Sequence, residues 1–383
     1  MDFFYIYVIR HRRLWNYNPK VNKTLSWRKR RTIEMELLMK TIEKIGDTDK
    51  DVMLKSKERV DNLIKPLGSL GKLEEIVLKL AGITGELFPR VDNRAVIVMA
   101  SDHGVYEEGV SPDPQIITAM QTCNFPRGVT GVCALAKQAG ADVITVDIGV
   151  AADLKEPGVI NRKIKYGTDN MAKGPAMTRE DAVKALEIGI EIALEEIEKG
   201  RNLLTTGEMG IGNTTSSAAI VSVLGGYDPH EIVGRGAGLP IEKLSHKAEV
   251  IKMAIDVNKP NKEDGIDILS KVGGFEIGGM AGVMLAGASR RLPIVVDGFI
   301  ATAAALIACT IEPKVRDYLF ASHASVERGA AKALELLGLE PMLNMGMRLG
   351  EGSGAVLAFN IIESAVYMNN EMVTFQEVGI VRD

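Results

Sequence analysis

Two hydrophobic periods succeed one another along this chain, and the change falls near Arg94. From about Met35 to Leu87 apolar residues recur at helical spacing, as Leu37, Leu38, Ile42 and Ile45 and then as Leu73, Ile76, Val77 and Leu80. The turn-rich connector Pro66-Leu67-Gly68-Ser69-Leu70-Gly71 lies between these stretches. From Arg94 onward, short apolar β-rich runs alternate with longer helical ones. The runs predict strands over Ala95–Ala100, Asp142–Asp147, Asn202–Thr206, Pro293–Asp297 and Asp317–Ala321. Their near-continuous apolar character suits strands buried on both faces. A helix is predicted over Arg179–Lys199, with Thr178 as its cap, Asp181 three residues on and Gly200 closing it. Such alternation predicts the α/β class: an open parallel sheet with helices on both faces. The helical period returns at roughly Ala355 to Met368.

These periods divide the chain into a small helical domain built from both ends, residues 35–90 and 355–383, and an α/β domain over 91–354. Residues 1–34 stand apart. They carry nine Lys or Arg against Asp2 and Glu34, including Arg28-Lys29-Arg30-Arg31, and both tryptophans. They read as a basic extension outside the core, with the functional chain expected to start at Met35; a basic arm for a membrane or nucleic acid is the alternative.

Composition narrows the class further. The chain has 383 residues, 46% hydrophobic and 25% charged, so it can bury a large core. Its net charge of −4 does not recommend nucleic acid as a partner. No apolar run reaches membrane-spanning length, and the short run from Phe3 to Ile9 is followed, not preceded, by positive charge. Cys123, Cys133 and Cys309 show no C-x-x-C spacing, which points to a reducing, cytoplasmic setting. Five histidines with no H-x-x-x-H pair give a metal site little support.

Each predicted strand ends in a polar or Gly-bearing loop: Ser101-Asp102-His103-Gly104, Asp147-Ile148-Gly149, Thr206–Gly210, Asp297-Gly298-Phe299 and Ser322-His323. In open parallel sheets ligands bind outside the carboxyl ends of the strands, so these loops are expected to form one polar pocket. Asp147 and Asp297 also admit a plain helix-capping role. The strongest signal is Gly207-Glu208-Met209-Gly210-Ile211-Gly212-Asn213-Thr214-Thr215-Ser216-Ser217, which follows a strand and opens an Ala-rich helix. Its helix N–H groups and hydroxyls suit a phosphate. It is neither a Walker loop nor a dinucleotide fingerprint, and a packing turn is the alternative. The second signal is Gly346-Met347-Arg348-Leu349-Gly350-Glu351-Gly352-Ser353-Gly354, a lone carboxylate between glycines before another helix. Glu351 reads as a reactive group or as a helix-start acid. Gly273–Gly282 reads as a close-packing loop or a pocket wall, and Met342, Met345 and Met347 as core or as the lining of an aromatic pocket.

Taken together, the motifs resemble those of nicotinate-nucleotide:dimethylbenzimidazole phosphoribosyltransferases, which act in cobalamin biosynthesis. The resemblance runs from about Met35 to the end. It rests on Pro66–Gly71, Asp102-His103-Gly104-Val105 with Glu107-Glu108-Gly109-Val110-Ser111, Gly207–Thr215, Val296-Asp297-Gly298-Phe299, Arg348–Gly354 and Thr374-Phe375. It implies a Rossmann-like sheet domain with a small helical domain, and typically a homodimer. It implies transfer of the phosphoribosyl group of nicotinate mononucleotide to a benzimidazole-type base, with no cofactor and no metal. It further implies Glu351 as general base, with Glu208 supporting it. The phosphoribosyl group would lie against Gly210, Gly212, Asn213, Thr214, Thr215, Ser216, Gly350, Gly352 and Ser353. The base would lie near Ser111, Gln121, Met209 and Leu349, with Asp102, Lys247 and Asp297 as further candidates. Ser353 stands where the family often has Thr, a change that keeps a hydroxyl. An NAD-dependent oxidoreductase and a nucleotide-binding sensor are the competing readings.

Overall fold

Eight residues of unbroken burial, Arg94–Ser101, form β1 at the centre of a six-stranded, all-parallel sheet. The computed structural model describes residues 35–380, so the basic extension assigned to residues 1–34 lies outside the described residues. β2 (Ala141–Gly149), β4 (Leu203–Met209), β5 (Ile294–Val296) and β6 (Leu319–Ala321) match the predicted strands to within a few residues. The predicted start at Asp317 is two residues early, because a 3-10 turn over Pro313–Tyr318 delivers the chain to β6. β3 (Val159–Asn161) was not foreseen: three residues at the sheet edge are too few to show a period.

The strand order is β3-β2-β1-β4-β5-β6. The chain runs outward in one direction to β3, then returns to the other side of β1 through β4. The point of reversal, between β1 and β4, is where a doubly wound sheet opens a crevice. Both faces of the sheet are covered. Met99 meets α11 (Phe275–Ser289), while Val96, of opposite parity, faces the turn that enters α14 (Ser353–Glu371). This is why the strands are apolar without alternation.

The other helices are α1 (Glu36–Ile42), α2 (Lys50–Asn62), α3 (Lys72–Thr84), α4 (Ile116–Asn124), α5 (Gly131–Gln138), α6 (Arg179–Glu198), α7 (Asn213–Gly225), α8 (Pro229–Ile232), α9 (Leu244–Asn258), α10 (Gly265–Val272), α12 (Phe299–Ile311) and α13 (Ala330–Leu337). α6 opens on the expected capping box, with Thr178 and Asp181 exchanging side-chain and backbone bonds. The two chain ends meet. The Arg59 guanidinium donates to the carbonyls of Asn369 and Met372, Ile64 N–H donates to Val373, and α14 packs on α3 and α5.

Gly273–Gly282 is not a loop: from Phe275 it is the first half of α11, wholly buried. Its glycines exist for backbone contact with α6. A Cβ on Gly189 would overlap the Gly279 carbonyl oxygen, and one on Gly282 would overlap that of Leu186. Gly189→Ala is therefore expected to destabilise the fold by about 1–3 kcal/mol in chemical denaturation, whereas Gly46→Ala, where the same atom meets nothing within 4 Å, stays within about 0.5 kcal/mol. Equal effects at the two positions would contradict this packing.

Candidate active site

At the β1/β4 reversal the carboxyl ends of β4, β5 and β6 surround a cavity of about 680 Å³. β4 contributes Glu208 and the run to Thr214, β5 leads to Asp297, and β6 leads to His323, Ser325 and Glu327. The loop before α14 adds Arg348–Glu351, α4 adds Ile117 and Gln121, and Arg235–Ala237 with Lys247 closes one end. Two of the five strand-end loops are not in its wall. Asp147 is taken up by the Val150 N–H (2.9 Å) and Lys163 (2.8 Å), and Asp102 by the Ala151 N–H (2.8 Å). Burial raises the Asp102 carboxyl above its usual range, against the pull of that N–H and the Thr118 hydroxyl.

Glu351 has φ +63°, between Gly350 at +91° and Gly352 at +94°. Three left-handed residues in a row are unfavourable for a side-chain-bearing residue and persist only where the surroundings impose them. The surroundings here are tight. A Cβ on Gly350 would collide with Glu208 Oε1, and one on Gly207 with the Glu351 carbonyl. The backbone is also tied down: Glu351 N–H donates to Glu208 Oε1 (3.3 Å) and Gly352 N–H to Asp297 Oδ2 (3.2 Å). The result aims the Glu351 carboxylate at α4 and α5. Its Oε1 accepts from Gln121 Nε2 (2.7 Å) and its Oε2 from the Val132 N–H (3.1 Å), in the first turn of α5, where the helix dipole favours an anion.

Glu208 is buried beside it. Its Oε1 takes the Glu351 N–H, and Asn213 Nδ2 donates to its Oε2. Loss of solvent pushes its carboxyl up to about 8, against those two donors. Asp297 accepts from Gly354 (2.8 Å) and Ala355 (3.0 Å) through Oδ1, besides Gly352. It is a cap, but for α14 rather than for the next helix. Burial raises its carboxyl too, opposed by His323 and by these amides. His323 Nδ1 pairs with Ser322 Oγ at 2.9 Å.

Two helix starts were candidates for a phosphate, and they differ. The first amides of α14 are occupied by Asp297. The start of α7, capped by Gly212 with no side chain, borders the cavity at Gly210–Thr214. Lys247 Nζ donates to Thr214 Oγ1 at 2.8 Å in that wall. Desolvation lowers the Lys247 ammonium to about 8, with Glu327 acting to raise it.

The structure thus brings Glu351, Glu208, Gly210, Gly212, Asn213, Thr214, Gly350, Ser111, Gln121, Met209, Leu349, Lys247 and Asp297 to one cavity. It turns Thr215 and Ser216 inward, because successive residues of α7 point some 100° apart, and of the three hydroxyl residues Thr214–Ser216 only Thr214 faces the opening. Ser353 donates to the Gly350 carbonyl (2.7 Å), and Gly352 is packed against Val96, so these two shape the turn instead of facing the opening. Of the methionines near the second motif, none lines the cavity. Sequence reasoning missed Arg235, Ser325 and Glu327. Gly234-Arg235-Gly236-Ala237-Gly238 was a visible signal, but no predicted strand leads into it. Among the described residues no group of three or more His, Cys, Asp or Glu could hold a metal, and no helix is long and apolar enough to cross a membrane.

Comparison with known proteins agrees with this geometry. A family model described as "Phosphoribosyltransferase" matches residues 45–380. The nicotinate-nucleotide–dimethylbenzimidazole phosphoribosyltransferase of Alkaliphilus metalliredigens (strain QYMF) is 62% identical over 347 residues, covering 90% of this chain and 99% of the relative. That of Clostridioides difficile (strain 630) is 55% identical, over 91% and 100%. The crystal structure of the enzyme of that name from Thermus thermophilus superposes with a TM-score of 0.83 at 42% identity, covering 88% of this chain and all of the other. With the strand order, the crevice and the Gly-flanked glutamate all in place, the chain belongs to the nicotinate-nucleotide–dimethylbenzimidazole phosphoribosyltransferase family.

Proposed function

We propose that this enzyme transfers the phosphoribosyl group of nicotinate mononucleotide to 5,6-dimethylbenzimidazole or a related base, giving α-ribazole phosphate and nicotinate. The observation that carries it is the Glu351 carboxylate, held by two donors in a strained turn at the wall of a cavity that also holds a helix start and Lys247. The donor's phosphate fits the start of α7, with Thr214 and Lys247. The base fits the other end, among Ser111, Gln121, Met209 and Leu349. A base nitrogen attacks the anomeric carbon as the bond to the pyridinium nitrogen breaks. The bonding pair returns to that nitrogen, so nicotinate leaves with a neutral ring. Attack on the opposite face gives the α-linked product. Positive charge grows on the imidazole ring, and Glu351 accepts the proton of its other nitrogen. Much of the remaining acceleration comes from holding both partners in line. Glu208, neutral near pH 7, supports the turn without adding a second negative charge. The working form is a cytoplasmic homodimer, and the helical segments 35–90 and 355–383 act as a small domain beside the sheet. Mass analysis of products from nicotinate mononucleotide and a panel of bases tests the reaction; absence of any phosphoribosylated base would refute it.

Two outcomes follow. Glu351→Gln is expected to fold normally and lose about 10²–10⁴-fold in turnover, read by steady-state kinetics alongside a melting curve; near-normal turnover would contradict the base assignment. As pH rises through about 8, Lys247 loses its positive charge and Glu208 gains a negative one. The first removes an attraction for a phosphate and the second adds a repulsion, so kcat/KM for the mononucleotide should fall between about pH 7 and 9 while KM for the base stays level. In Lys247→Met, only the Glu208 part of that limb should remain. A flat wild-type profile across this window would contradict the placement of the phosphate.

A further inference from the structure

We infer that His103 is a positioning residue for the phosphate-binding turn, acting through a buried Ser216–His103–Glu276 chain. Its Nε2 lies 2.6 Å from Glu276 Oε1 and its Nδ1 lies 3.1 Å from Ser216 Oγ. His103 and Glu276 are 0% exposed and Ser216 1%, and none of the three lines the cavity. A Ser–His–Glu order suits a nucleophile only where a substrate can reach the serine, and here none can. The chain therefore has a different use.

Glu276 Oε2 has no protein partner, so the contact with His103 is the bond that compensates this buried carboxylate. The carboxylate accepts, which makes Nε2 the donor. Nδ1 is then left to accept the Ser216 hydroxyl proton at 3.1 Å, a stronger acceptor than the Met171 thioether 3.9 Å from the same oxygen, so the tautomer favours the rotor that faces His103. Ser216 lies in the first turn of α7, directly behind Gly212–Thr214. The imidazole also backs the turn itself: a Cβ built on Gly210 or on Gly212 would sit 3.4 Å from His103 atoms. On the other side, Ile211 N–H donates to Thr118 Oγ1 at 3.1 Å. The segment 210–216 is thus held from behind at the imidazole, at Ser216 and at Thr118. Glu276 lies in the first turn of α11, whose glycines lock it to α6. Through His103 the position of the phosphate turn is referred to the α6–α11 pair, whose backbones are in direct contact.

This inference rests on the reading that the donor phosphate binds at the start of α7. The test uses the full chain with nicotinate mononucleotide and 5,6-dimethylbenzimidazole, measuring kcat and both KM values. Ser216→Ala removes the hydroxyl at the end of the chain. His103→Gln keeps a polar group for Glu276 but loses the one for Ser216. Each is expected to raise KM for the mononucleotide roughly ten-fold while KM for the base moves less than about two-fold. Ser216→Thr, which restores the hydroxyl, should return KM for the mononucleotide to near its wild-type value. A merely structural role predicts a different pattern: a lower kcat from lost active protein, with both KM values unchanged. That pattern in Ser216→Ala, or an unchanged KM for the mononucleotide, would overturn the inference, and Ser216→Ala keeps it testable if His103→Gln fails to fold. Failure of the underlying reading shows separately, because Lys247→Met would then also leave KM for the mononucleotide unchanged.

Discussion

The structure of the site depends on one backbone constraint, the left-handed run Gly350-Glu351-Gly352 wedged against the end of β4. A glutamate held at positive φ costs free energy, of order 1–3 kcal/mol, and relaxes unless its neighbours forbid it. Here β4 forbids it on one side through Gly207 and Glu208, and Asp297 on the other by gathering the amides of Gly352, Gly354 and Ala355. The order of β4, β5 and α14 in the fold is what places these three segments side by side. The strained residue is also the one whose carboxylate lines the cavity, so the strained turn and the proposed general base coincide.

The charges of the cavity are arranged around that point. Carboxylates from three segments, Glu208, Asp297 and Glu351, lie within one wall, and like charges so close oppose one another. The structure separates their roles by environment. Asp297 is engaged by the amides that open α14 and lies 3.8 Å from His323 Nδ1, and Glu351 is held by Gln121 and the first turn of α5. Glu208, deepest in the protein, is pushed toward its neutral form. At the far end the Lys247 ammonium, lowered by desolvation, feels the opposing charge of Glu327. Under the proposed function the cavity is graded, with Glu351 as proton acceptor at one end and the start of α7 as anion cradle at the other.

Much of this was legible in the sequence, for physical reasons. Buried parallel strands write unbroken apolar runs, so five of the six strands were visible, and β3 was not because three edge residues carry no period. Thr178 and Asp181 announced α6 because caps use a narrow set of side chains. The Glu208 and Glu351 motifs were visible because close backbone approach admits only glycine. What stayed hidden is direction. A string of hydroxyls from Thr214 to Ser216 does not tell which one faces the opening; only the phase of α7 does. Nor could spacing reveal that Asp297 caps a helix some fifty residues away, or that His103 joins Glu276 to Ser216, since each link spans different elements.

Asp297 holds the strained turn and so aims Glu351. The most direct measurement is kcat of Asp297→Asn in folded protein at saturating substrates. Asparagine is nearly isosteric and its oxygen can keep the bonds from Gly354 and Ala355, but its amide NH₂ would oppose the Gly352 N–H, one of the two backbone bonds that tie the turn down. A fall of about 10²-fold is expected, the scale of a misplacement of about 1 Å at a reacting group. A kcat within about two-fold of wild type, with the variant as stable as the parent, would show that the turn holds itself and that this account of the site is wrong.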